Sequence, residues 1–222
     1  MSLQRAFLLR RLHSLSGVLP LSAFFAEHMW TNAASLAGDR AFDKAVADLQ
    51  RIPGLWFLEV LGILLPLLFH ASYGIWVSMN ARPDLRHYAY PRHWAYVLQR
   101  ATGIVTLVFV LWHLWELRVQ KAFFGMRPEY FSTELAGRLG SLRWGIPWMS
   151  VLYVVGVLAA AYHFANGLWG FLCAWGVVVS RPAQQRALAA CASLGVIFGA
   201  LGVLSVLHFA TGWTLPGLAQ HF

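Results

Sequence analysis

Charge is what this sequence has least of. Only 12% of its 222 residues are Asp, Glu, Lys or Arg, against 59% hydrophobic, where a soluble domain carries about 25% charged residues. No charged residue occurs from Val60 to Ala81, from Trp144 to Ser180 or from Ala187 to Phe222. Runs of that length exclude a soluble fold, because about 20 apolar residues cross a hydrocarbon core about 30 Å thick. Cysteine is nearly absent as well. Cys173 and Cys191 both fall in apolar runs, where they behave as small hydrophobes. The lack of a Cys-x-x-Cys-His motif excludes a thioether-linked haem. The lack of a cysteine cluster excludes a resident iron–sulfur centre, and the lack of Gly-x-Gly-x-x-Gly argues against a resident flavin. No internal repeat or low-complexity segment is present.

What is present is hydrophobic length. Five segments, about 12–34, 56–79, 98–120, 147–178 and 187–213, are expected to cross a membrane. The prediction is an all-α integral membrane protein, one domain over 1–222 built as a five-helix bundle. Arg5, Arg10 and Arg11 precede the first segment as in a signal peptide. That segment is nevertheless read as a retained helix, because it is long, contains Pro20, Glu27 and His28, and lacks a clean cleavage site. Gly38 to Arg51, with Phe42, Val46 and Leu49 at helical spacing, is expected to form a short helix on the membrane surface.

Basic residues set the orientation. With the N-terminus inside, the inner segments hold Arg5, Arg10, Arg11, Arg82, Arg86, Arg92, Arg100, Arg181 and Arg186 against one acid, Asp84. The outer segments hold eight basic residues but also Asp39, Asp43, Asp48, Glu59, Glu116, Glu129 and Glu134. The inner loops are shorter and denser in Arg, which places the N-terminus in the cytoplasm. The basic face suits anionic lipid or an acidic protein partner; nucleic acid is not expected.

Four consecutive segments each carry a histidine inside the apolar run: His28, His70, His113 and His163. A lone one would be read as a hydrogen-bonded core residue. Four in succession, in a medium that penalises ionisable side chains, point to a common purpose. Imidazole is the usual protein ligand of haem iron, facing helices build such sites, and coordination uses the neutral ring. Depth suggests the pairing. His28 lies about 25 Å beyond Arg11 and His113 about 20 Å beyond Arg100 at the helical rise, so both fall toward the outside. The expectation is an outer haem b between His28 and His113 and an inner haem b between His70 and His163. Gly17, Gly74, Gly156 and Gly167 fall near the ligands' own faces at 3.6 residues per turn and are read as room for a macrocycle. Two axial histidines leave iron no open position, so such haems transfer electrons. With flavin and iron–sulfur centres excluded here, those groups belong to other subunits, and the redox partner inside the membrane is quinone.

These residues carry a family resemblance. Arg11-Leu-His-Ser-Leu-Ser-Gly-Val-Leu-Pro20 leading to Glu27-His28, Pro66-Leu-Leu-Phe-His70-Ala-Ser-Tyr-Gly74, Gln99-Arg-Ala-Thr-Gly103 running to His113, and Tyr162-His-Phe-Ala-Asn-Gly-Leu-Trp169 occur in order. The chain resembles the cytochrome b membrane anchor of succinate:quinone oxidoreductases, in the single-polypeptide, five-helix, two-haem form found with menaquinone in bacterial inner membranes. The resemblance implies His28, His70, His113 and His163 as axial ligands. It also implies a flavoprotein and an iron–sulfur protein on the cytoplasmic face, and menaquinone reduction by succinate or the reverse reaction with fumarate. The chain itself is not expected to oxidise succinate. Some fumarate-reducing relatives carry a glutamate two residues before the fourth ligand; Ala161 stands there instead, which favours the succinate-oxidising direction.

Further residues are weighed individually. Glu59, at the start of the second helix, and Glu27, beside His28, are candidates to handle quinone protons at the membrane edge, against a solvated interface role. His13, Ser14 and Arg100 are candidates to meet haem propionates, Arg being suited to carboxylates, although Arg100 also fits a snorkelling role. His208 is expected not to be a ligand, and His87, His93 and His221 carry no signal. Trp30, Trp56, Trp94, Trp144, Trp148 and Trp213 near the segment ends match an interfacial belt. Two other functions stay open on the residues alone. One is a haem-bearing anchor of another respiratory dehydrogenase, of formate dehydrogenase or hydrogenase type. The other is a transporter, for which repeated halves are missing.

Overall fold

A computed structural model describes residues 2–81, 87, 90–125 and 131–218. His221, Arg82, Asp84, Arg86 and Glu129, weighed above, lie outside the described residues. Among those described the chain is all-helical, and its only bridge is an isolated one between Arg143 and Ile146. Helices are the expected outcome: in hydrocarbon no water satisfies the backbone, so each segment must hydrogen-bond within itself.

Four helices are long and apolar enough to cross a membrane: Leu55–Met79, Pro91–Phe123, Trp148–Ala174 and Arg181–Thr211. They coincide with the second to fifth predicted segments. The third and fifth begin several residues earlier than predicted, each opening with proline at its first or second position, where the missing N–H costs nothing. The first segment is helical too, over Leu3–Ser16, Gly17–Leu21 and Ser22–Ala33. It is less apolar than the other four, since Ser14, Ser16, Ser22, Glu27 and His28 dilute it.

Three wide π turns interrupt these helices, at Gly17–Leu21, Leu58–Leu64 and Leu114–Val119. Two have a proline cause. Pro20 sits inside the first, and Ser22 closes it by donating both its N–H and its Oγ–H to Gly17 O. Pro66 follows the second, and its ring cannot approach the carbonyl four residues earlier in a regular helix. The third holds Glu116 and begins directly after His113.

The chain divides into two compact units. The first comprises Met1–Phe25, Trp56–Val105 and Ala159–Val196. Its helices approach closely where small residues meet: a Cβ on Gly195 would lie 2.7 Å from Ala165 Cβ and 3.2 Å from Ala161 O.

The second unit comprises Ala26–Leu55, Thr106–Leu158 and Ile197–Phe222. Its core joins Phe42, Val46, Leu135, Leu139, Tyr153, Val206 and Phe209. The helix expected between the first and second segments forms, over Asp39–Gln50, but its setting differs from the prediction. Phe42 and Val46 do not lie on a lipid surface. They are buried against a further helix, Phe131–Leu139, which the sequence reading did not anticipate, and Ser132 Oγ donates to Asp43 Oδ2 at 2.7 Å to join the two. Protein covers this apolar face more completely than an interface would, so the helix belongs to the core.

Elsewhere large apolar side chains point outward, among them Leu68 at 65% and Val196 at 71% exposure. A water-facing surface of that kind would be a liability; facing lipid it is the stable arrangement. All six tryptophans assigned to the interfacial belt are exposed, as are Trp112 and Trp115 beside His113.

Candidate haem sites

In the first unit, His70 and His163 meet edge to face, ring centroids 6.2 Å apart and planes at 89°. Each ring is oriented by main chain. His70 Nδ1 donates to His13 O at 3.0 Å, and His163 Nδ1 donates to Gln99 O at 3.0 Å. A carbonyl only accepts, so these contacts favour hydrogen on Nδ1 and a lone pair on Nε2, the tautomer a metal ligand needs; Ser16 Oγ also lies 3.4 Å from His70 Nδ1 and Gln99 Nε2 lies 3.2 Å from His163 Nδ1. Gln99 is itself fixed: Asn166 Nδ2 donates to its Oε1 at 2.8 Å, and its Nε2 donates to His163 O at 3.0 Å.

Glycine makes room for these rings, but from the facing helix. A Cβ on Gly17 would lie 2.6 Å from His70 Cε1, and one on Gly103 would lie 2.8 Å from His163 Cε1. The sequence reading assigned Gly17 to His28 and Gly74 to His70, each on its own helix. In the structure Gly17 faces His70, Gly74 faces His13, Gly167 faces Gln99, and in the second unit Gly156 faces Phe109. Periodicity within one helix cannot reveal which neighbour a glycine accommodates.

A third imidazole joins this cluster. His13 stacks on His70 with centroids 4.1 Å apart and sits near Tyr73. His13 Nδ1, Tyr73 Oη and Arg100 Nε are buried polar atoms without a hydrogen-bond partner. Arg100 also lies over the Tyr96 ring at 3.4 Å and donates to Tyr96 O. Ser14 Oγ accepts from Trp175 Nε1 at 3.4 Å. Buried donors seldom stay unpaired, and a carboxylate-bearing group would use them.

In the second unit, His28 and His113 meet with ring centroids 5.7 Å apart and planes at 74°. His28 Nε2 accepts from Asn32 Nδ2 at 3.3 Å, while the same amide donates to His28 O at 2.7 Å. His113 Nδ1 lies 3.3 Å from Tyr153 Oη, and that hydroxyl donates to Glu116 Oε2 at 2.9 Å. The hydroxyl therefore accepts from the ring, and His113 too keeps its Nε2 lone pair. Phe109 inclines against His113 from the side, centroids 5.7 Å apart.

The donor set of each unit, two neighbouring imidazoles, is of the kind a haem iron would take, although His28 Nε2 faces Asn32 Nδ2. The ring centroids lie 6.2 and 5.7 Å apart, so in each unit one group could be approached by both rings. Among the described residues no group of three or more His, Cys, Asp or Glu is arranged for a metal ion. Two imidazoles are the complement of an iron whose other four ligands are porphyrin nitrogens.

The remaining candidates separate between the units. Glu27, in the second, accepts from Thr31 Oγ1 at 2.6 Å; Glu59, in the first, lies in the π turn Leu58–Leu64. His208 is buried with both ring nitrogens engaged, Nδ1 by Trp213 O at 2.8 Å and Nε2 by Asp39 Oδ1 at 2.9 Å. Tyr153, Glu116, Asn166 and Tyr73 were given no site role in the sequence reading, where Glu116 counted only among the outer acids. Only Glu116 carried a signal there, as an acid three residues past a candidate ligand.

Comparison with known proteins agrees with this chemistry. Residues 78–204 match the family described as succinate dehydrogenase/fumarate reductase transmembrane subunit. The succinate dehydrogenase cytochrome b558 subunit of Bacillus subtilis (strain 168) is 41% identical over 186 residues, covering 84% of this chain and 88% of that protein.

Proposed function

Because the chain belongs to the succinate dehydrogenase/fumarate reductase transmembrane subunit family, we propose that it is a di-haem anchor passing electrons from a cytoplasmic dehydrogenase to menaquinone. His70 and His163 hold one haem b, and His28 and His113 the other. The observation that carries the reading is the pair of neighbouring imidazoles in each unit, with Nδ1 engaged on His70, His163 and His113, which leaves Nε2 as the nitrogen for iron; His28 would exchange its Asn32 contact for the metal. Each haem, when bound, supplies one-electron chemistry at an iron with no open position.

The chain's own residues do the positioning. His13 O and Gln99 O hold the inner ligands, while Gly17 and Gly103 keep space beside them. His13, Tyr73 and Arg100 offer buried polar atoms to propionates, with Ser14 nearby in sequence. Glu27 and Glu59 are the carboxylates assigned to pass protons to quinone, a role that calls for an acid at the membrane edge.

Flavin and iron–sulfur centres are assigned to a flavoprotein subunit and an iron–sulfur subunit on the cytoplasmic face, where the N-terminus lies. Succinate is oxidised there and not by this chain. Ala161, 4% exposed and packed beside Gly195, offers no proton carrier at its position, which supports the succinate-oxidising direction. The host membrane is a bacterial inner membrane.

The test is a reduced-minus-oxidised spectrum of the purified complex with haem counted per chain. Two low-spin haems b are expected, and His28→Ala, His70→Ala, His113→Ala and His163→Ala should each remove one. A folded preparation without haem overturns the reading.

A further inference from the structure

His113 differs from His70 and His163 in what holds it. Theirs are main-chain carbonyls at 3.0 Å, with Ser16 Oγ and Gln99 Nε2 as more distant side-chain neighbours at 3.4 and 3.2 Å. His113 rests on a side-chain relay: its Nδ1 faces Tyr153 Oη, Tyr153 donates to Glu116 Oε2, and Glu116 Oε1 lies 3.4 Å from Arg138 NH1. Arg138 in turn reaches Glu134, Nε to Oε2 at 3.6 Å. Tyr153 and Glu116 are each 6% exposed.

A buried carboxylate is a feature that needs explaining, since apolar residues of similar size would fill the space without desolvating a charge. Its local effect is specific. A tyrosine hydroxyl has one proton to give. By taking it, Glu116 obliges the oxygen to accept from His113 and forbids the reverse bond, in which the hydroxyl would donate to Nδ1 and put hydrogen on Nε2. Carboxylates behind a metal-bound imidazole fix its tautomer and raise its basicity. Here a phenol stands between the two and transmits the effect.

We propose that Tyr153 and Glu116 are positioning residues that hold His113 in its ligating tautomer and set the reduction potential of the haem it binds, with Arg138 anchoring the carboxylate. The proposal rests on His113 being a haem ligand. An anionic relay makes the imidazole a stronger donor and favours ferric over ferrous iron. Weakening it should raise the potential of that haem and leave the one held by His70 and His163 unchanged.

The experiment uses the assembled complex and follows both haems by optical redox titration. Tyr153→Phe keeps the ring that packs on Phe109, centroids 5.2 Å apart, and removes only the hydroxyl. Expected is a shift of about tenfold toward ferrous in the ferrous-to-ferric ratio of one haem at fixed applied potential, the scale of effects behind a metal ligand. Glu116→Gln should shift the same haem in the same direction by a smaller factor. The double variant should move it no further than Tyr153→Phe alone, because the carboxylate acts through the hydroxyl. Unchanged potentials in both single variants, or fully additive shifts, overturn the proposal while leaving the ligand assignment intact. If Tyr153→Phe assembles without that haem, Glu116→Gln decides alone: a shift toward ferrous supports the proposal and none overturns it. If His113→Ala retains two haems, the ligand assignment itself has failed.

Discussion

The imidazole of His13 lies flat on that of His70, ring centroids 4.1 Å apart and planes inclined by 16°. The contact is distinct from the hydrogen bond between the same two residues, in which His70 Nδ1 donates to the main-chain oxygen of His13. The side chain of His13 thus supplies a flat surface and its backbone supplies the acceptor.

Replacement of His13 by Phe should preserve both functions while removing the ring nitrogen offered to a propionate. We expect His13→Phe to retain two haems per chain by extraction and counting, while His70→Ala retains one. Loss of a haem in His13→Phe would mean that the ring nitrogen is required to hold it and contradict the expectation that stacking and the backbone acceptor suffice.

Gly17 and Gly170 form a matched pair for testing the facing-helix arrangement. A methyl on Gly17 would lie 2.6 Å from His70 Cε1, whereas one on Gly170 meets nothing within 4 Å. Gly17→Ala is expected to displace His70 and reduce the haem count from two toward one. Gly170→Ala should keep the count at two.

His208 and Asp39 join a long helix to the short one at Asp39–Gln50. His208→Leu should leave the haem spectrum unchanged and lower thermal stability in detergent. The loss should be about 1–3 kcal/mol, the range for removing one partner of a buried polar contact. A missing haem in this variant would contradict its assignment as a purely structural histidine.

Leu139 is 1% exposed within the core of the second unit, while Leu61 is 61% exposed. Leu139→Ala should cost about 2–5 kcal/mol through lost burial and the cavity left behind. Leu61→Ala should change stability by less than about 0.5 kcal/mol, as for substitutions away from packed features. Thermal unfolding of the two variants side by side checks the contrast.

Much of this was legible in the sequence, for one physical reason. Water-avoiding length and the penalty on ionisable groups in lipid both leave marks in linear order, so the long helices and His28, His70, His113 and His163 stood out. The pairs the histidines form in the structure are the pairs depth suggested. Relationships across helices left no such mark. Nothing in the spacing of Gly17 announces His70, 53 positions away. Glu116 and Tyr153 are 37 residues apart, and each alone reads as an interfacial polar residue. The helix at Phe131–Leu139 was hidden because its apolar positions are few and its burial depends on Phe42 and Val46. The same dependence turned Asp39–Gln50 from an expected surface helix into a core element.

The wide turn at Leu114–Val119 bears on how this chain tolerates changes in length. Relative to a regular helix, a π turn accommodates about one additional residue. It therefore sets the rotational phase of everything that follows, including Lys121, whose Nζ reaches Gln50 Oε1. Deleting one residue between Glu116 and Gln120 would close the wide turn into a regular one and leave both His113, on the near side, and the phase of Lys121 in place. Relatives with one residue fewer here should therefore keep both the docking of the segment after Gln120 and the imidazole that faces His28.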